Sequence, residues 1–372
     1  MKRLLIIGLF TIFALSACRQ NPAEIKSRFE QRATNIGQQY VPDKSLNVYN
    51  VKLERPNGRW TMLGTTNIPQ AKKALGAFCD SLFGVGYYQN KLRLLPDANL
   101  GDSSYALVKV SVAHLRRHPS HAAELVNQTI MGRTLALLDE NGGWYLCQTD
   151  YGYVGWISSS SITRINKAGI QSWQQSPRLR VSALGGTIFS KPDTKALPVS
   201  NTVLNMEVAG SKSHQRWTKV NLPDGREGYI SSGLVTDART LPDINSKVII
   251  QTAESMLGLP YLWGGNSSKG NDCSGFSQTV FKAHGMQLPR DAGQQAEKGE
   301  TIIPDSTFSN LKAGDLLFFG AGKRVTHVGI SLGGPRFIHQ AGEVHFNSFD
   351  KSSPEYNAAR RRNFKFAKRV LK

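Results

Sequence analysis

Tyr261-Leu262-Trp263-Gly264-Gly265, followed by Asp272-Cys273-Ser274-Gly275-Phe276-Ser277-Gln278-Thr279-Val280-Phe281, decides how the chain is read. The paired glycines let the backbone fold tightly. Asp272 is a natural N-cap, and the spacing of Phe276, Val280 and Phe281 predicts a helix with one buried face. Cys273 then stands in the first turn, where unpaired N–H groups and the helix dipole favour a negative charge. That setting makes a thiol more acidic, and the thiolate is the nucleophile. A lone cysteine at a helix start is more often a small buried apolar residue, so its company decides between the two.

Two histidines downstream supply it. Asp315-Leu316-Leu317-Phe318-Phe319 reads as a buried strand. His327, Gly329 and Ser331 alternate with Val328, Ile330 and Leu332, which predicts a half-buried strand with His327 turned away from the core. Beyond the Gly333-Gly334-Pro335 turn, Phe337 and His339 share a face, and antiparallel pairing sets His339 beside His327. A Cys–His pair oriented by a third polar group is the general arrangement of an activated nucleophile. Asn245-Ser246 caps a preceding helix that Gly258 and Pro260 end. Residues 245–372 therefore form one α+β domain, after a linker at 237–246.

Upstream lies an internal repeat. Gly143-Trp144-Tyr145-Leu146-Cys147 and Tyr153-Val154-Gly155-Trp156-Ile157 return as Arg216-Trp217-Thr218-Lys219-Val220 and Glu227-Gly228-Tyr229-Ile230. Each copy is a Trp-led strand, a tight turn and a Gly-aromatic-Ile closing strand, the mark of a small barrel. The barrels span 105–166 and 178–237. Residues 18–104 read as a small α+β segment: a helix ending near Tyr40, a strand from Asp43 toward the Pro56-Asn57-Gly58 turn, and a helix over 68–84. No function follows from its residues.

The 372 residues carry a formal charge of +19. Without a nucleic-acid motif, that balance points to an anionic surface or polymer and not to nucleic acid. Lys2-Arg3, the apolar run Leu4–Ala14 and Leu15-Ser16-Ala17-Cys18 match a bacterial lipoprotein signal peptide over 1–17, with Cys18 the lipidated residue. The expected location is the cell envelope, on a membrane through that anchor, leaning to the outer membrane. Cys79 and Cys147 read as buried free thiols. No zinc spacing is present, and His114, His118 and His121 read as solvated surface, so no metal or cofactor is expected.

Residues 245–372 resemble the NlpC-type papain-like cysteine peptidases of bacterial cell walls. The resemblance rests on Tyr261–Gly265, Asp272–Phe276, Leu288-Pro289-Arg290, Ala313-Gly314-Asp315-Leu316, His327-Val328-Gly329-Ile330 and Ile338-His339. The barrels resemble bacterial SH3-like domains, so the fold class is multidomain, with small all-β SH3-like barrels and a C-terminal α+β papain-like catalytic domain. This arrangement is similar to the γ-D-glutamyl-L-diamino-acid endopeptidases. The resemblance implies that Cys273 attacks the γ-D-glutamyl carbonyl, His327 is the base, His339 orients it, and Tyr261 with the Cys273 N–H lines the oxyanion hole. It implies that the first barrel caps the groove so that only peptides with a free N-terminal L-alanine fit. Asp272, Glu124 and Tyr153 would hold that ammonium, and Trp263, Ser274, Arg290 and Asp291 would line the substrate. Ala292 stands where the family usually has serine, and Arg290 or Asp291 are the candidates to compensate. The expected partner is a murein-derived peptide, met by a monomer in peptide recycling. The alternatives are a lytic endopeptidase on intact wall and a non-catalytic wall-binding lipoprotein.

Overall fold

The structure, a computed structural model, describes residues 21–240 and 243–371. The leader and Cys18 lie outside the described residues. Two compact units divide the described residues: 21–42 with Tyr49–Leu94, and Asp43–Val48 with those from Leu95 onward.

In the first unit, helices Pro22–Tyr40 and Pro69–Phe83 accompany strands Tyr49–Glu54, Thr61–Thr66 and Gln89–Leu94. The first two strands pair antiparallel and the last two parallel, which the Pro69–Phe83 crossover permits. Ile25, Phe29, Ile36, Leu53, Met62 and Leu75 form its core, with Cys79 as a buried free thiol. The strand expected from Asp43 onward starts only at Tyr49. Asp43 Oδ1 accepts from the Ser45 N–H and hydroxyl at 2.8 and 2.6 Å, a local turn that competes with strand pairing. Residues 43–48 belong to the second unit, where the Ser45 and Leu46 carbonyls accept from the Val154 N–H and the Gln148 amide.

In the second unit, the strands of Tyr105–Ile165 form one seven-stranded sheet and those of Arg178–Asp237 another. Numbered from one within each, both run in the spatial order seven-one-four-five-six-two-three. The repeat read in the sequence is thus a repeat of topology. Leu115, Leu135, Leu137, Cys147 and Ile157 fill the first barrel, and Leu179, Ile188, Val208 and Ile230 the second.

The C-terminal domain packs helices Ser246–Ser255 and Cys273–Ala283 on a six-stranded antiparallel sheet. Phe276, Val280 and Phe281 are fully buried against Leu316, Phe318, Val328 and Ile330, each contributing about 1.5–3 kcal/mol by leaving water. A second cluster of Phe308, Leu317, Phe319, Phe337 and Phe349 also packs on this sheet. The strand Arg324–Gly333 is therefore buried continuously from His327 to Ser331, not half-exposed. Alternating Gly329 and Ser331 read as a solvent face, but they are the small residues that let packed neighbours approach. A Cβ on Gly329 would meet His339 Cβ at 3.1 Å.

Candidate active site

Asp272 caps the Cys273 helix through Oδ1, which accepts from the Gly275 N–H at 2.8 Å. Cys273 is the first helical residue, so its N–H has no intrahelical acceptor and remains a candidate oxyanion donor. The N–H groups of Ser274 and Val328 reach the sulfur. The sulfur therefore sits against the peptide that joins His327 to Val328.

A hydrogen-bonded relay runs behind His327. His327 Nε2 lies 2.8 Å from His339 Nδ1, and His339 Nε2 lies 3.0 Å from Asn347 Oδ1. The Asn347 amide donates to the Phe346 carbonyl, and its oxygen also accepts from Asn357 at 2.8 Å. Asn347 Oδ1 must then be an acceptor, so His339 carries its proton on Nε2 and accepts at Nδ1. His327 in turn donates from Nε2, which leaves its Nδ1 lone pair free to accept a proton. His339 pairs with Gly329 in register, so His327, two residues along the strand, is its diagonal neighbour. Asn347 was invisible to motif reading. Its signal is the hairpin at Gly342, which makes it the partner of Phe337 and a diagonal neighbour of His339.

From the helix position alone the thiol should be more acidic than usual, and the structure reverses this. Burial, and then the neighbouring Asp272 charge, push the Cys273 thiol up to about 11 against the two N–H groups. Burial, with Arg360 next, holds His327 well below its ordinary 6.5, and His339 falls to about 3 for the same reasons. The low dielectric favours the uncharged thiol–imidazole pair. A neutral thiol beside a neutral imidazole is the starting state that suits general-base activation.

Cys273 opens into a cleft of about 850 Å³ bounded by the first barrel, the Asp43 segment and the catalytic domain. Glu124, Tyr153, Tyr261, Trp263, Asp272, Ser274 and Asp291 all line it. Trp263 Nε1 donates to Glu124 Oε1 at 3.0 Å across the domain boundary, and Arg117 holds the other oxygen at 2.6 Å. Arg117 keeps the Glu124 carboxyl below its usual range. Asp291 is shifted up by burial despite Arg290 and caps the helix Ala292–Gln295. Burial also raises the Tyr153 phenol, and it pushes the half-exposed Tyr261 to about 12, so both remain proton donors. Ala292 is on the cleft wall.

Arg290 does not compensate for Ala292. It is 1% exposed, and its donors are consumed by Asp272 (2.9 and 2.6 Å), Ser274 Oγ, the Gly265 carbonyl and Asn127 Oδ1 (2.8 Å). Burial works against its charge, but Asp272 wins and raises its pKa. Its role is to bolt the first barrel to the nucleophile's helix. Asp272 is correspondingly occupied, with Oδ2 also accepting from the Gly264 N–H at 3.1 Å. Gly264 has φ +72°, and any Cβ there would lie 2.4 Å from the Leu125 carbonyl oxygen, so this closest approach of barrel and catalytic loop requires glycine. Asp43 and Gln294 are cleft residues that sequence reading missed. Gln294 Nε2 donates to Asp43 Oδ2 at 2.6 Å and to Ser45 at 2.8 Å. Nothing local to Asp43 announces a partner 251 positions away. Among the described residues no group of three or more His, Cys, Asp or Glu is arranged to hold a metal.

A buried cysteine, a neutral imidazole and an orienting second histidine on an α+β scaffold define a cysteine peptidase. The comparisons agree: the NlpC/P60 family model matches residues 258–362, and the bacterial dipeptidyl-peptidase SH3 domain matches 115–162. A γ-D-glutamyl-L-lysine dipeptidyl-peptidase of Bacillus cereus is 30% identical over 238 residues, covering 59% of this chain and 68% of that protein. Dipeptidyl-peptidase 6 of Lysinibacillus sphaericus is 28% identical, covering 68% and 94%. A crystal structure of an NlpC/P60 family protein from Bacillus cereus superposes with a TM-score of 0.63 over 72% of this chain and all of that one; at 24% identity this bears on the fold. The chain belongs to the NlpC/P60 family.

Proposed function

We propose that this peptidase hydrolyses the bond between γ-D-glutamate and an L-diamino acid in murein-derived peptides with a free N-terminal L-alanine. The observation that carries this is the charge of the cleft. Among the described residues, five carboxylates and two arginines line it; with Asp272 paired to Arg290 and Glu124 to Arg117, Asp43, Asp291 and Glu297 still outnumber Arg324, in a chain of net charge +19. An ammonium entering a partly closed cleft needs such compensation to leave water. The acyl half of the peptide occupies the barrel side, its amine between Glu124, Asp291 and Tyr153. Cys273 Sγ attacks the carbonyl as His327 Nδ1 takes the thiol proton, and Tyr261 and the Cys273 N–H face the developing oxyanion. His327 then protonates the departing amine, and water releases the thioester. The names of the Bacillus cereus and Lysinibacillus sphaericus relatives support this reading.

The test is L-Ala-γ-D-Glu-L-Lys with its amine free or acetylated. The free peptide is expected to be cut and the acetylated one at least tenfold more slowly in kcat/KM. Equal cleavage of both, or solubilisation of intact wall, points instead to a lytic endopeptidase. We also propose a lipid anchor at Cys18, on the strength of Leu15–Cys18 alone. A Cys18→Ala chain should then leave the membrane fraction for the soluble envelope fraction.

A further inference from the structure

We propose that Arg360 binds the α-carboxylate of the amino acid released by the reaction, making it the specificity residue of the leaving-group side. The inference rests on the function proposed above.

Arg360 is in the first turn of the short helix Ala358–Asn363. Its guanidinium carbon stands 5.6 Å over the Phe319 ring, and that ring lies 5.5 Å from the His327 imidazole. The same aromatic therefore backs the base and seats the cation. The helix is tied to the relay: its cap Asn357 accepts from the Arg360 N–H at 3.0 Å and donates to Asn347 Oδ1, the oxygen that receives the His339 proton. Shared supports thus fix the guanidinium relative to the reacting atoms.

Arg336 grips Glu355 at 2.7 and 2.8 Å, Arg369 grips Asp315 at 2.9 and 2.8 Å, and Arg361 donates to the Phe349 carbonyl. Arg324 and Arg362 are exposed and solvated by water. The Arg360 guanidinium has no hydrogen-bond acceptor or ion pair among the described residues, although it is half-buried. Burial pulls its pKa down, and its charge is felt at Cys273, His327 and His339. A partly desolvated guanidinium without an acceptor is costly. It also lowers the basicity of the imidazole that must accept a proton. A carboxylate arriving with the substrate relieves both costs in one step.

Position selects which carboxylate. Arg360 is not among the residues lining the barrel-side cleft, where the acyl half with its ammonium is placed. It lies near Cys273 and His327 but outside that wall, which is where the leaving residue must extend. The leaving nitrogen and its α-carboxylate carbon are two bonds apart, about 2.5 Å. A group that holds this carboxylate therefore also aligns the nitrogen that His327 protonates. The planar fork of arginine suits a carboxylate in two-point contact.

The experiment compares L-Ala-γ-D-Glu-L-Lys with its α-carboxamide in the parent, Arg360→Gln and Arg360→Lys. The parent is expected to favour the acid by roughly ten- to hundredfold in kcat/KM. Arg360→Gln should lose that preference by slowing the acid while leaving the amide within about threefold, and Arg360→Lys should keep part of it. An equal fall for acid and amide would mean a structural role and overturn the proposal, as would no preference in the parent. If the parent cuts neither peptide, the proposed function fails, and alkylation of Cys273 still tests the site. The rate ratio of iodoacetate to iodoacetamide should fall at least about threefold from parent to Arg360→Gln by loss of the charge pair. An unchanged ratio overturns the proposal.

Discussion

Asn347→Ala removes the acceptor that fixes the tautomers of both histidines, while Asn347 itself lies outside the cleft wall. His339 is fully buried, so its Nε2 proton would lose its partner at a cost of about 1–3 kcal/mol. The ring escapes by moving the proton to Nδ1, which then faces His327 Nε2. His327 must answer with its own proton on Nδ1, where it can no longer accept one from the thiol. The productive tautomer pair becomes the minor one by that same margin, so kcat should fall roughly 5- to 150-fold. KM should stay within about twofold, because nothing that touches the peptide has changed. Asn347→Asp restores an acceptor and should recover most of the loss. The assay is steady-state release of lysine from L-Ala-γ-D-Glu-L-Lys, with thermal unfolding as the folding control. A folded Asn347→Ala enzyme with kcat within about twofold of the parent would refute the tautomer argument.

Arg290→Met should destabilise the protein by about 3–5 kcal/mol, since it strands a buried carboxylate and releases Asn127 of the barrel; adding Asp272→Asn should recover part of this in denaturant titrations, and a loss under about 1 kcal/mol would speak against the bolt. Asp291→Asn keeps the helix cap and should raise KM for the free-amine peptide roughly tenfold, with the acetylated peptide unaffected. The acid limb of kcat/KM should fall below pH 6.5, because burial lowers the His327 pKa and the base stays unprotonated until the medium is more acidic than an ordinary histidine requires. The alkaline limb should follow the peptide's own amine, near pH ~8, and vanish from kcat at saturating peptide; an acid limb at or above 6.5 contradicts the burial argument.

The helix that begins at Cys273, the neighbouring strands of His327 and His339 and the paired barrels were legible in the sequence, because each is carried by local periodicity. Asp272 before Cys273 is a cap at any depth of burial, and the Gly333-Gly334 turn sets the His327–His339 pairing whatever packs upon it. Burial was not legible: Gly329 and Ser331 looked like a solvent face because small residues under aromatic packing and small residues in water give the same alternation. That one ambiguity also misdirected the expected acidity of Cys273, where desolvation outweighs the helix end. Arg290, read as lining the substrate, and Asp43, read as the start of a strand, were misplaced for a different reason. Arg290 spends its donors on Asn127, 163 positions earlier, and Asp43 meets Gln294 across most of the chain. No local pattern encodes such partners.

The most direct measurement is rapid-quench intact mass spectrometry of the full protein mixed with L-Ala-γ-D-Glu-L-Lys. A transient adduct of the mass of the L-Ala-D-Glu acyl group, absent from Cys273→Ala and formed far more slowly when His327 is replaced, is the expected result. Release of lysine by the parent with no such adduct, or undiminished release by Cys273→Ala, would contradict it.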